Sequence, residues 1–328
     1  MSEPDGRPGA DQTASSPENP KPNRGRAVLG AVVVAAVVLA AGFAVYHQRR
    51  GFADAVHKVG FGVMAASLAL AVVSTALTFP TWRAVLTGLQ VDMPWGVGAR
   101  VFFTSQLGKY LPGSVWPVLI QMEAGRSRGA ARRTMLAANL ITIVLSCAVG
   151  LSLACVLLPI ADAHALRRYW WLLFALPFLL ALLHPRAVPW ALDRLFTLVR
   201  REPLGQRLPV NASLRASGWA LSSFVASGLH IAVLVVVIGG AGISAVTLSI
   251  GAMALAVSAG VLFIPAPAGA GVRDVVLTLV LGSVLDPGQA LAVVVTSRAL
   301  LIAGDLALAV AAGVAARLSD RNTSVNLS

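Results

Sequence analysis

Acidic residues and cysteines are scarce in this sequence, and charge of either sign is thin. Asp and Glu number 14 among 328 residues, and all charged residues together make up 12% of the chain. A soluble domain carries about 25%. The carboxylates Asp92, Glu123, Asp162 and Asp193 stand apart, so no pair is set for acid–base chemistry. No His/Cys ligand cluster occurs, no phosphate-cradling glycine loop followed by lysine, and no nucleophile elbow. Nor is there a polar stretch of about 100 residues in which to build a catalytic domain. These absences predict a protein that is not an enzyme, with no cofactor and no metal site. Cys147 and Cys155 fall in one predicted helix, about 12 Å apart along its axis. That is too far for a disulfide, and they read as small packing residues.

What the sequence has instead is apolar length. Hydrophobic residues make up 57% of the chain and the mean hydropathy is +0.77. Runs near the roughly 20 residues that cross about 30 Å of hydrocarbon are Ala27–Tyr46, Gly60–Phe79, Thr134–Leu158, Tyr169–Leu183, Ser217–Ile238, Val246–Ile264 and Ala290–Ala316. Val275–Leu285 is shorter and crosses only with flanking residues, as Val272–Leu285. The pattern predicts an all-α, polytopic membrane bundle of about eight transmembrane helices. Residues 1–26 are polar and rich in Pro, Gly and Ser, and read as a disordered cytoplasmic tail. Residues 27–316 form the membrane domain, and 317–328 a short cytoplasmic C-terminal tail.

The net charge of +12 does not point to nucleic acid, because the basic residues sit in connecting segments. One cluster is Arg126, Arg128, Arg132 and Arg133; another runs from Arg186 through Arg194, Arg200, Arg201 and Arg207 to Arg215. Lys21, Arg24 and Arg26 precede the first span. The positive-inside rule then places both termini in the cytoplasm of a multi-pass cell-membrane protein. Ala191–Leu208 has Leu192, Leu195, Phe196 and Val199 at helical spacing, which reads as an amphipathic helix on the inner surface. A solvated basic loop is the alternative.

Two segments break the apolar pattern. Thr104–Pro117 holds Lys109 and Tyr110, then Pro112, Gly113 and Ser114, then Trp116 and Pro117. Irregular backbone at membrane depth survives only when packed in protein or facing a wet cavity. Two short helices meeting at Pro112-Gly113 would make a re-entrant hairpin, with Lys109 beside a helix end suited to an anion. An ordinary cytoplasmic turn is the alternative. The second break, Ile264–Asp274, contains Pro265, Pro267, Gly269 and Gly271 and ends in Arg273 and Asp274. Asp274 reads equally as a first-turn acid favoured by the helix dipole; Arg273 is the better ligand candidate. The breaks occupy comparable places in the two halves, a pattern that marks binding sites in transporters.

The last span carries Arg298 and Asp305 on one helical face, about 10 Å apart along the axis. Intramembrane charges point to function by default. Structural ion pairing is the alternative, and at that spacing each is free to take another partner. His230 reads as a packing histidine and Asn139 as a hydrogen bond between helices. The seven tryptophans, Trp82 among them, read mostly as interfacial anchors.

At these breaks the chain resembles the flippase-like family, also called the lysylphosphatidylglycerol synthase transmembrane region family. The resemblance rests on Gly108-Lys109-Tyr110-Leu111-Pro112-Gly113-Ser114 with Trp116-Pro117, on Pro265 through Asp274, and on Arg298. The second motif departs mildly, with Ala268 for a glycine and Asp274 for a glutamate. The resemblance implies an all-helical membrane fold and lipid translocation. The aminoacyl transferase domain of the family's best-known members has no counterpart in this sequence, so a stand-alone member is expected. The combined reading is a flippase or lipid-handling transporter for lipids with anionic or phosphate headgroups. Lys109, Tyr110, Pro112, Gly113, Ser114, Trp116, Arg273, Asp274, Arg298 and Asp305 are its candidate binding residues. An enzyme or accessory subunit of lipid-linked glycan or envelope lipid synthesis is the alternative. Envelope biosynthesis enzymes are candidate partners.

Overall fold

A computed structural model describes residues 58–110, 115–161, 167, 170–198, 208–239, 242–263 and 271–325. The first apolar run, Ala27–Tyr46, lies outside them. Every regular element among the described residues is helical. They are α1 (Phe61–Gly88), α2 (Trp95–Gln106), α3 (Trp116–Arg126), α4 (Arg132–Ile160), α5 (Leu176–Leu182), α6 (Ala187–Leu198), α7 (Val210–Gly239), α8 (Ile243–Leu262), α9 (Val272–Leu281) and α10 (Pro287–Val325). Short 3-10 turns cover Leu107–Tyr110 and Trp170–Ala175.

Five helices are long and apolar enough to cross a membrane: α1, α4, α7, α8 and α10 as far as Ala315. Each covers most of an apolar run expected from the sequence; Gly60 precedes α1, and Val246–Ile264 runs past the end of α8 at Leu262. Tyr169–Leu183 does not form such a helix. Its described part is a six-residue 3-10 turn followed by the seven residues of α5, about 23 Å in all. Pro177 at the start of α5 lacks the N–H that would bond back into the preceding turn. The ten residues of α9 rise only about 15 Å, half a crossing. The predicted amphipathic helix is present as α6, starting slightly earlier than expected; Val199 and residues 200–207 lie outside the described residues.

An antiparallel pair, α1 and α7, forms the centre. The Ser223 hydroxyl donates to the Ser74 carbonyl at 2.8 Å, and the Ser67 hydroxyl to the His230 carbonyl at 3.0 Å. Small residues let the other helices approach closely, as lipid-embedded packing requires. A Cβ on Gly228 of α7 would lie 2.4 Å from the Ile250 Cα of α8, and one on Gly150 of α4 2.5 Å from the Ser258 hydroxyl. Among the described residues Asn139 makes no hydrogen bond between helices; its amide donates to the Met135 carbonyl of its own helix at 2.9 Å. Trp82 is no interfacial anchor either. It is 1% exposed and packs on Phe79 and Phe102 where α1 meets α2. The other six tryptophans are exposed. Both cysteines are free and buried.

α1 stops in a Schellman-type turn. The Val91 N–H donates to the Leu86 carbonyl and the Gln90 N–H to the Thr87 carbonyl, with Gln90 at φ 58°. The chain then reverses into α2.

Candidate functional site

The first break forms a hairpin of short helices. α2 and α3 flank residues 111–114, which lie outside the described residues, so Pro112, Gly113 and Ser114 are not placed. The arms are clasped. The Gln121 side-chain amide of α3 donates to the Ser105 hydroxyl of α2 at 2.8 Å, both residues buried. Nearer the tip, a Cβ on Gly108 would stand 2.9 Å from the Trp116 Cβ, so only glycine permits this closeness. Sequence reasoning missed the Ser105–Gln121 clasp. Its signal was a lone glutamine inside the apolar run Val118–Met122.

Depth follows from helix lengths. The 28 residues of α1 span about 42 Å. α2 starts at the Gly88 end of α1. Its 12 residues and the 3-10 turn then run back about 26 Å. That carries Lys109 and Tyr110 to the level of Val72, which Gly304 of α10 also approaches. This level lies about 16 Å from the Phe61 end of α1. It is within a hydrocarbon layer about 30 Å thick.

The second break reaches the same layer from the opposite end. α9 begins at Gly271, whose φ of 86° suits glycine and few other residues. From there it runs toward the Phe61 end of α1, where a Cβ on Gly239 would lie 2.2 Å from a Leu285 methyl. Residues 264–270 lie outside the described residues. Two half-membrane elements thus converge on α10.

Here the candidate charges meet. Asp305, 4% exposed, lies 2.7 Å from the Lys109 ammonium, and the Tyr110 hydroxyl donates to the same carboxylate oxygen. Arg298 donates to Asp274, whose same oxygen accepts the Gly271 N–H at 3.3 Å. Arg298 and Asp305 therefore share a helix but not a partner. Asp274 closes the start of α9 and also neutralises Arg298. Arg273 is different. Its Nε is 4.0 Å from the far oxygen of Asp274, beyond hydrogen-bond reach. Its Nε and Nη2 are buried with no hydrogen-bond partner among the described residues. One oxygen each of Asp274 and Asp305 is in the same condition. Arg273 lies within electrostatic range of Arg298, Tyr110 and Asp305, so the cluster is one site.

Lys109, Arg273 and Arg298 face two carboxylates, Asp274 and Asp305, which leaves one formal positive charge. A buried guanidinium with unsatisfied donors is costly, and an oxyanion supplies what it lacks. Its planar fork matches phosphate oxygens. No group of metal-ligating side chains occurs among the described residues. Of the ten candidates, Lys109, Tyr110, Arg273, Asp274, Arg298 and Asp305 come together. Trp116 stays at the hairpin, 43% exposed.

No curated protein matches the chain significantly. The family model described as Lysylphosphatidylglycerol synthase TM region matches residues 28–309. That range takes in both breaks and every member of the charge cluster, and the family is one of membrane lipid handling. This multi-pass membrane protein belongs to the lysylphosphatidylglycerol synthase TM region family.

Proposed function

We propose that the protein is a lipid flippase or lipid-handling transporter that moves a phosphate-bearing headgroup between leaflets. The observation that carries this reading is Arg273, a cation at membrane depth with two buried donor nitrogens that have no hydrogen-bond partner among the described residues. A polar headgroup cannot cross hydrocarbon bare, so it needs a polar path. In this reading the path runs between the two breaks. Arg273 takes the phosphate, while Lys109 and Arg298 exchange Asp305 and Asp274 for it in part. The lipid tails stay in the bilayer. The chain acts without catalysis, in the cell membrane, with both termini cytoplasmic. Its partners are membrane lipids with anionic or phosphate headgroups, together with the envelope biosynthesis enzymes that supply or use them.

Reconstitution tests this. In vesicles carrying a fluorescent phosphatidylglycerol, a membrane-impermeant reductant bleaches only the outer leaflet unless lipid crosses. Wild-type protein is expected to expose the inner pool and Arg273→Gln to leave it protected. Equal bleaching with both proteins, or an inner pool untouched by the wild type, would defeat the reading.

A further inference from the structure

A second cationic site lies at the Gly88 end of α1, about 16 Å along that helix from the Val72 level. A cavity of about 180 Å³ opens there between α1 and α7, lined by Arg83, Thr87, Trp95, Arg215 and Trp219 among others. No acidic side chain lines it. Neither arginine has a carboxylate partner among the described residues. Arg83 is held in place, donating to the Met93 carbonyl and lying 4.5 Å above the Trp95 ring. Arg215 comes from the first turns of α7, brought opposite by the antiparallel α1–α7 pairing. Two like charges facing one small cavity repel, and an anion between them removes the repulsion. The volume is below the roughly 300 Å³ of a drug-sized pocket, which favours a compact group such as a phosphate.

The surroundings choose between sources of phosphate. α1 is longer than the hydrocarbon layer is thick, so its Gly88 end lies at headgroup level. Trp95 and Trp219 are 60% and 41% exposed, as in aromatic belts at membrane surfaces. We propose that this pocket binds an anionic phospholipid, its phosphate between Arg83 and Arg215 and its glycerol region against Trp95 and Trp219. The site is separate from the Arg273 cluster and stands whether or not that cluster moves lipid.

Tryptophan quenching by brominated lipids tests it. The full chain is placed in phosphatidylcholine vesicles in which a minor fraction of lipid is brominated, either phosphatidylglycerol or phosphatidylcholine. Brominated phosphatidylglycerol is expected to win by roughly thirtyfold in apparent affinity, the scale of a pair of basic side chains at an anionic surface. The preference should vanish in Arg83→Gln/Arg215→Gln, and the excess quenching in Trp95→Phe/Trp219→Phe. If the double arginine variant does not fold, Arg215→Gln alone must weaken the preference, since Arg215 is exposed and holds no partner among the described residues. Equal quenching by the two lipids, or a preference that survives loss of the arginines, overturns the proposal. Abolition of the preference by inorganic phosphate, but not by chloride of equal ionic strength, overturns the lipid source and assigns the pocket to a soluble phosphate.

Discussion

His230 is fully buried and Arg273 buries two of its guanidinium nitrogens; both are ionisable and close to α10, yet they end in opposite conditions. The His230 Nδ1 lies 2.9 Å from the Ser67 carbonyl and 2.8 Å from its hydroxyl, and Nε2 lies 2.9 Å from the Ser297 hydroxyl. Donation from Nδ1 to the carbonyl sets the tautomer, and Nε2 then accepts from Ser297. Every polar atom of the ring is used, and three helices, α1, α7 and α10, are pinned at one level. Arg273 sits at the next layer with donors to spare. A saturated buried group spends its bonding capacity on the fold, and an unsaturated one keeps that capacity for a ligand. Sequence alone shows two polar residues in apolar helices and cannot rank them this way.

The sharpest way to break this contrast is at Asp274, which serves both layers' neighbours. Asp274→Ala strands Arg298 and Arg273 in the bundle, and is expected to destabilise the protein in detergent by about 3–5 kcal/mol. Thermal unfolding should show it. Asp274→Leu with Arg298→Met removes the pair together, which should recover most of that loss without recovering lipid movement. His230→Leu comes next, at about 2 kcal/mol, because hydrogen bonds between membrane helices are individually modest and the two serines can bond back to their own helices. Arg273→Met should cost no stability in the same assay. If Arg273→Met destabilised as much as His230→Leu, the contrast between the two groups would collapse.

Two smaller changes set the scale away from both layers. Gln90 holds φ 58° at the end of α1, so Gln90→Gly should raise stability by about 0.5–1 kcal/mol. Glu123 is exposed in the last turn of α3, 2.8 Å from Arg132 and 3.3 Å from Arg126. The hydrogen bond from Arg132, helped by the nearby arginine charges, holds its carboxyl below the usual range. A lowered carboxyl stabilises the fold above its unfolded value of about 4.3 and loses that contribution as pH falls through the folded value. Since Glu123 is fully exposed, Glu123→Gln should leave the melting temperature unchanged at pH 7. Any wild-type advantage over it should be lost on acidification below pH about 4.

Much of this architecture was legible in the residues. Hydropathy located the five long helices, because a crossing needs a run of apolar side chains whatever its neighbours are. Proline and glycine located both breaks. Helical periodicity put Arg298 and Asp305 on one face, and the interruption at Ile264–Asp274 singled out Arg273. The misreadings have a common cause. Asn139 was expected to reach across helices and bonds within its own; Trp82 was expected at an interface and fills the core. In each case the side chain's chemistry allowed several partners, and packing chose one. Tyr169–Leu183 was apolar enough to cross, but its described residues form a 3-10 segment followed by a short α-helix and no spanning α-helix, since composition measures affinity for lipid and not the kind of helix formed.

The sequence by itself determined the membrane class, the all-helical backbone, the places where helices break, and the identity of the charges beside those breaks. Each follows from local chemistry: backbone groups in lipid must be paired internally, and proline and glycine interrupt that pairing wherever they stand. Only the tertiary structure decided which charges are spent. Asp305 answers to Lys109 and Tyr110, more than 190 residues away in the chain, and Arg298 to Asp274, at 24 residues. Those pairings depend on two half-membrane segments arriving from opposite ends at one face of α10. Arg273 keeps unpartnered donors among the described residues because Asp274 turns its bonded oxygen to Arg298 and holds the other 4.0 Å away, a fact of three-dimensional geometry that no spacing along the chain encodes.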